Sequence, residues 1–104
     1  MVTWVVTDVE GSTQLWEWDA DVMDDAVERH NKILRGLLDV HGGHEVRTDG
    51  DSMCAAFHDA VDAVTWAVAA QAALLAHPWP ARLLEHPYCA PVTLVFQKTC
   101  LCMT

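Results

Sequence analysis

Apolar residues recur at helical spacing through Val22, Met23, Ala26, Val27, Ile33, Leu34, Leu37 and Leu38. Asp19, Asp21, Asp24 and Asp25 crowd the start of this stretch, and Arg29, Lys32 and Arg35 lie further on, as the helix dipole favours. Gly42 and Gly43 end it. A long amphipathic helix of this kind needs an apolar layer to cover. The segments flanking it supply one.

Upstream, the β-branched run Val2 to Thr7 predicts a buried central strand. Ser12 or Thr13 is placed to cap a short helix through Trp18. Downstream, "HEVRTDGDSMCAAF" reads as a hairpin. Its Asp49-Gly50 pair predicts a type I′ turn, which needs positive φ at both central residues. Met53, Ala55 and Phe57 alternate along the second strand and should face a helix layer. Asp59 is the expected cap of a third helix, with Val61, Val64, Val68, Ala72 and Leu75 as its apolar stripe and His77-Pro78 as its stop.

All four prolines fall between Pro78 and Pro91, so that stretch reads as loop or linker. "VTLVFQ", Val92 to Gln97, has the length of one more strand, and "KTCLCMT" carries no pattern. The order βααββα, with room for a further strand, predicts an α+β, ferredoxin-like sheet with helices on one face.

With 104 residues there is material for one small domain, and 52% hydrophobic content with five Trp excludes a disordered chain. Six Lys and Arg against fifteen acids give a net charge of −9, which argues against nonspecific nucleic-acid binding. Acidic proteins that handle phosphates usually need cations to do so. The apolar helix from Val61 to Ala76 is shorter than the roughly 20 residues a bilayer span requires, so no membrane contact is expected of this piece. Cys54 lies in an apolar strand, where a buried reduced thiol is expected, and the four cysteines form no C-x-x-C pair. His41 and His44 flank a Gly-Gly, but no ligand spacing repeats.

The chemistry concentrates in "VVTDVEGST" and "TDGDS". In the expected topology the end of the first strand lies beside the hairpin turn, so Asp8 and Asp51 become neighbours. Two carboxylates that converge repel each other unless a cation sits between them. Mg²⁺ suits such a pair, taking one or two protein carboxylates and filling its shell with water and substrate phosphates. Gly11, Ser12 and Thr13 would add a close-approaching backbone for those phosphates. An Asp after a strand also serves as a cap or turn former, and the residues alone leave both roles open. Glu10 is explained by a loop carboxylate facing water.

"VVTDVEGSTQLW", followed by "HGGHEVRTDGDSMCAAF" and "AVDAVTWAVAAQAAL", resembles the catalytic domain of class III nucleotide cyclases. The likeness runs from Val2 to about Trp79, and its wording is nearest cyclases of the bacterial and unicellular-eukaryote receptor kinds. Related palm-fold enzymes such as diguanylate cyclases carry a Gly-Gly-Asp/Glu-Glu-Phe turn that is absent here.

The resemblance implies that residues 1–79 are a partial cyclase catalytic domain and 80–104 a loop and divergent tail. It implies that Asp8 and Asp51 hold two Mg²⁺ or Mn²⁺ ions, with the Val9 backbone carbonyl on one of them. Gly11, Ser12 and Thr13 match the triphosphate-binding turn, and Arg47 stands where the family has an adenine-selecting lysine. The implied activity is conversion of ATP, in preference to GTP, to the 3′,5′-cyclic nucleotide and pyrophosphate in intracellular signalling. Family sites form between two catalytic domains, so a homodimer or a heterodimer with another cyclase domain is implied. The implied location is cytoplasmic, including the cytosolic part of a membrane receptor.

The later strands, and the family's transition-state asparagine and arginine, have no counterpart here; no "N-x-A-A-R"-like segment occurs. A truncated or mis-spliced C-terminal portion is therefore expected. A non-catalytic remnant, binding metal or nucleotide or acting in dimerisation, is the alternative.

Overall fold

The structure is a computed structural model and describes residues 2–9, 11–85 and 97–103. Strand β1 (Thr3–Val9) leads through helix α1 (Ser12–Trp18) into helix α2 (Ala20–His41). The hairpin of β2 (His44–Asp49) and β3 (Ser52–Phe57) follows, then helix α3 (Ala60–Ala76), a short α4 (Ala81–Leu84) and β4 (Gln97–Met103). The sheet order is β2-β3-β1-β4, and each neighbouring pair is antiparallel. Two interleaved split βαβ units give this arrangement, so the predicted ferredoxin-like α+β fold is what forms.

Strand β1 buries Thr3, Val5, Thr7 and Val9 in alternation and turns Trp4, Val6 and Asp8 to the other face. On β3, Met53, Ala55 and Phe57 are buried as predicted. They meet Met23, Ala26, Leu34 and Leu38 of α2 and Ala63, Trp66, Ala70 and Leu74 of α3 in one core. Cys54 falls on the opposite face of its strand and is a half-buried free thiol rather than a core one. Asp59 caps α3 as expected, accepting the Val61 N–H at 2.8 Å.

Four local expectations are corrected. Strand β1 runs two residues past Thr7, because Asp8 and Val9 still pair with β4, so Asp8 belongs to the strand itself. Helix α1 is headed by Gly11 at φ 73°, not by a capping Ser12 or Thr13 side chain. The hairpin closes at the Asp49–Ser52 pair, so its central residues are Gly50 and Asp51. Among described residues only glycines have positive φ, with Gly50 at 57°. Positive φ at the first central position alone excludes type I′ and meets the type II′ requirement.

The fourth correction concerns α3. Val61, Val64, Val68 and Leu75 are 69%, 48%, 64% and 49% exposed, while Trp66 is fully buried. Its ring packs against Phe57 with centroids 5.6 Å apart, and its Nε1–H donates to the Leu34 carbonyl at 3.2 Å. The face turned inward is Ala63, Trp66, Ala67, Ala70 and Leu74, which buries the large indole with its donor satisfied and lets small alanines pack closely around it.

Toward the C-terminus, Gln97, the last residue of the expected extra strand, and Lys98 to Met103, which carry no sequence pattern, pair along the whole of β1. Residues 92–96 of the expected extra strand lie outside the described residues. Within the proline-rich stretch, Arg82 of α4 reaches back to the α1–α2 junction. Its Nε donates to Asp19 Oδ2 at 3.2 Å, and the guanidinium sits 4.1 Å from the Trp18 ring centroid.

Two predictions arise from this packing. A Cβ on Gly43 would stand 2.5 Å from Phe57 Cε2 and 2.6 Å from Leu38 Cδ2. Gly43→Ala should therefore cost about 1–3 kcal/mol through overpacking, measured by urea unfolding. The second concerns acid. Arg35 hydrogen-bonds Glu45 through Nε at 2.8 Å and Nη2 at 3.2 Å, and Thr48 donates to the same carboxylate. The Arg35 guanidinium first, then Thr48, holds the Glu45 carboxyl below its ordinary value. The Val22 N–H, then Arg82, does the same for Asp19. Both folded pKa values are lowered, so this stability is present above the unfolded carboxylate range and is lost as pH falls through the folded values. The melting temperature should fall on acidification below about pH 4, and by less in Glu45→Gln.

Candidate functional site

The end of β1 and the turn between β2 and β3 meet at one edge of the helix layer. Thr7 stands opposite Met53, and continuing the same antiparallel register two residues along each chain brings Val9 opposite Asp51. There the Val9 N–H donates to Asp51 Oδ2 at 3.2 Å. One residue back, Asp8 points to the exposed face of the sheet. Asp8, Val9 and Asp51 are thus brought together, across 42 residues of sequence between Val9 and Asp51.

Beyond residue 10, which lies outside the described residues, come Gly11, Ser12 and Thr13. Gly11 sits in the left-handed region, and its carbonyl accepts from the Leu15 N–H at 3.2 Å. The first turn of α1 follows directly from the Asp8 end of β1.

Arg47 is not brought to this cluster. It stands on the outer strand β2 opposite Cys54, which in turn is opposite Val6. Two strand spacings put it about 10 Å from β1. A bulge between Glu45 and Arg47 shifts the register there. Its Nε pairs with Asp49 Oδ2 at 2.7 Å, with the two side chains 74% and 65% exposed.

The candidate donor set is two carboxylates and a backbone carbonyl, all hard oxygens. Among the described residues no group of three or more His, Cys, Asp or Glu converges. A pair without a third carboxylate is the ligand count that Mg²⁺ accepts, with water and phosphate oxygens completing the shell. The residues present fit such an ion.

Inspection of the sequence passed over His30 and Asn31. Both are buried on α2, between the core positions Val27 and Leu34. The signal was available: two polar side chains occupy the place where the helical period calls for apolar ones.

Comparison with known proteins agrees with this picture. An adenylate cyclase of Podospora anserina is 40% identical over 92 residues, which is 88% of this chain and 4% of that protein. Receptor-type adenylate cyclase B of Leishmania donovani is 39% identical over 87 residues, 84% of this chain and 6% of that protein. A solved adenylate cyclase structure from Trypanosoma brucei, in its monomeric state, superposes with a TM-score of 0.79 at 38% identity. That superposition covers 84% of this chain and 37% of the solved one. No family model matches the chain. The relatives and the shared fold show that the chain belongs to the class III nucleotide cyclase family, its matched residues forming part of that family's catalytic domain. It spans only a small share of the curated relatives' length. No described helix is long and apolar enough to cross a membrane.

Proposed function

We propose that residues 1–79 form the ion- and triphosphate-holding part of an adenylate cyclase catalytic domain. Within an assembled domain pair it would convert ATP to 3′,5′-cyclic AMP and pyrophosphate. The observation that supports this is the Val9 N–H to Asp51 hydrogen bond, which ties Asp51 to the end of β1, one residue along from Asp8.

Asp8, Asp51 and the Val9 carbonyl would hold two Mg²⁺ or Mn²⁺ ions. When bound, those ions lower the pKa of the ribose 3′-hydroxyl and neutralise charge at the α-phosphate as pyrophosphate departs. Gly11, Ser12 and Thr13 receive the triphosphate: Gly11 lets the backbone approach closely, and the hydroxyls of Ser12 and Thr13 donate to phosphate oxygens. Relatives named adenylate cyclases support ATP as the substrate. Arg47, the candidate base-selecting residue, lies on the outer strand, and its guanidinium offers forked donors rather than the single point of a lysine.

The transition-state groups of the family do not occur in this sequence, so a complete cyclase domain would supply them in a heterodimer, whereas a homodimer of this chain would pair two domains that lack them. Losing such electrostatic groups costs about 10²–10³ in rate each. The test is cyclic-nucleotide formation from ATP and from GTP with Mn²⁺, for the chain alone and mixed with a complete cyclase catalytic domain. Product from ATP in the mixture, above that of the complete domain alone, is expected. Product from GTP only would refute the assigned substrate. A chain that binds Mn²⁺-ATP yet adds nothing in either setting would be the non-catalytic remnant.

A further inference from the structure

Helix α2 lays an apolar face on the sheet, and two of its buried positions are polar: His30 is fully buried and Asn31 is 8% exposed. A buried amide is tolerated only when it is hydrogen-bonded. The Asn31 Nδ2–H donates to the Gly50 carbonyl at 2.9 Å, and Asn31 Oδ1 lies 2.9 Å from His30 Nδ1. A carbonyl only accepts, so the amide nitrogen must face Gly50, and Oδ1 is left facing the ring. His30 Nδ1 must then carry the proton and donate. The two side chains fix each other's orientation.

What they hold is specific. The Gly50 carbonyl and the Asp51 N–H share one planar peptide unit. Gly50 is the left-handed residue of the two-residue turn, at φ 57°, and its side-chain-free backbone has the widest choice of conformations in the hairpin. Rotation of that peptide would swing the Asp51 Cα and its carboxylate. The chain of contacts therefore runs from His30 to Asn31, to the Gly50–Asp51 peptide, and through Asp51 Oδ2 to the Val9 N–H beside Asp8.

We propose that Asn31, oriented by His30, is a positioning residue that locks the Gly50–Asp51 peptide so that the Asp51 carboxylate is held against the end of β1. This rests on the assignment of Asp8 and Asp51 as the ion-holding pair for its consequence in binding, but not for its geometry. Asn31 touches no reacting atom. It acts through Asp51, as outer partners of a metal ligand do.

The experiment compares wild type, Asn31→Ala, Asn31→Leu and Asp51→Asn in the whole chain. Leucine keeps the volume of a buried side chain on a helix face that is apolar apart from His30, so it separates lost positioning from lost packing. Three quantities are read: the thermal midpoint, hydrogen exchange at the Val9 amide, and Mn²⁺ affinity by electron paramagnetic resonance of the free ion. Asn31→Leu is expected to stay folded, to exchange the Val9 amide about tenfold faster, and to bind Mn²⁺ about 10–100-fold more weakly. Exchange at Val9 needs no metal, so it decides the positioning role even if wild type and Asp51→Asn prove equal toward Mn²⁺. That equality would sink the ion-pair assignment alone. A folded Asn31→Leu with wild-type Val9 protection would overturn the positioning role. Unfolding of both Asn31 variants would make Asn31 a core residue, with the same consequence.

Discussion

Asp51→Ala should abolish function while sparing the fold: Mn²⁺-supported cyclisation in the assembled domain pair should fall by about 10³-fold. A bound divalent ion contributes several kcal/mol of charge stabilisation at a phosphoryl centre, and each 1.4 kcal/mol is a factor of ten. Asp51 is half-buried in a turn and receives one hydrogen bond, from Val9, at the open end of a strand. Its removal truncates a half-buried side chain and takes the acceptor from the N–H of Val9, a residue 2% exposed. Stability should fall by about 1–3 kcal/mol, well short of unfolding the domain. Unfolding in urea alongside the product assay checks both halves. Retained turnover in Asp51→Ala would remove the residue from the mechanism.

The second large effect is on stability. Trp66→Ala should cost about 3–5 kcal/mol, a large part of the roughly 5–15 kcal/mol that holds a domain together. The indole is fully buried, packs on Phe57, and bonds the Leu34 carbonyl of α2, so it joins sheet, α2 and α3 at one point. Val68→Ala on the same helix removes a side chain that is 64% exposed and should change stability by about 0.5 kcal/mol or less. Denaturant midpoints of the two variants decide which face of α3 is inward. A costlier Val68→Ala would restore the valine stripe as the core.

That contrast shows where inspection of the residues stopped. Helix α2 was legible because charged and apolar residues segregate on it, with Asp19 capping one end and Gly42 the other. Helix α3 carries Asp62 as its one charged residue, and apolar side chains surround its axis. Spacing alone then offers two stripes. The choice falls to volume and hydrogen bonding, which favour Trp66. The hairpin was legible from the alternation of Met53, Ala55 and Phe57, but Asp-Gly signals a turn without saying which two residues occupy its centre. Register does that, through the Asp49–Ser52 pair, and it places Asp51 rather than Asp49 in the turn.

Of the candidate site, Asp8 and Asp51 stand out in the sequence as carboxylates at a strand end and a turn, a placement that suits a cation and equally a cap or turn former. Asn31 shows in the sequence as a polar residue at a core position of α2, while its partner, the Gly50 carbonyl, is brought to it only by the folded hairpin. Arg47 enters through the resemblance, at the place of the family's lysine, and the bulge between Glu45 and Arg47 that shifts its register on β2 is announced by no spacing. Strand β4 lay hidden because its residues take their conformation from pairing with β1, not from a pattern of their own.

Paramagnetic broadening by Mn²⁺ in a nitrogen-15 spectrum bears most directly on whether two remote acidic residues share the same ions. Resonances of the Val9 and Asp51 amides should vanish together at substoichiometric Mn²⁺, and should persist in both Asp8→Asn and Asp51→Asn. Broadening centred elsewhere on the sheet, or unchanged by either substitution, would contradict it.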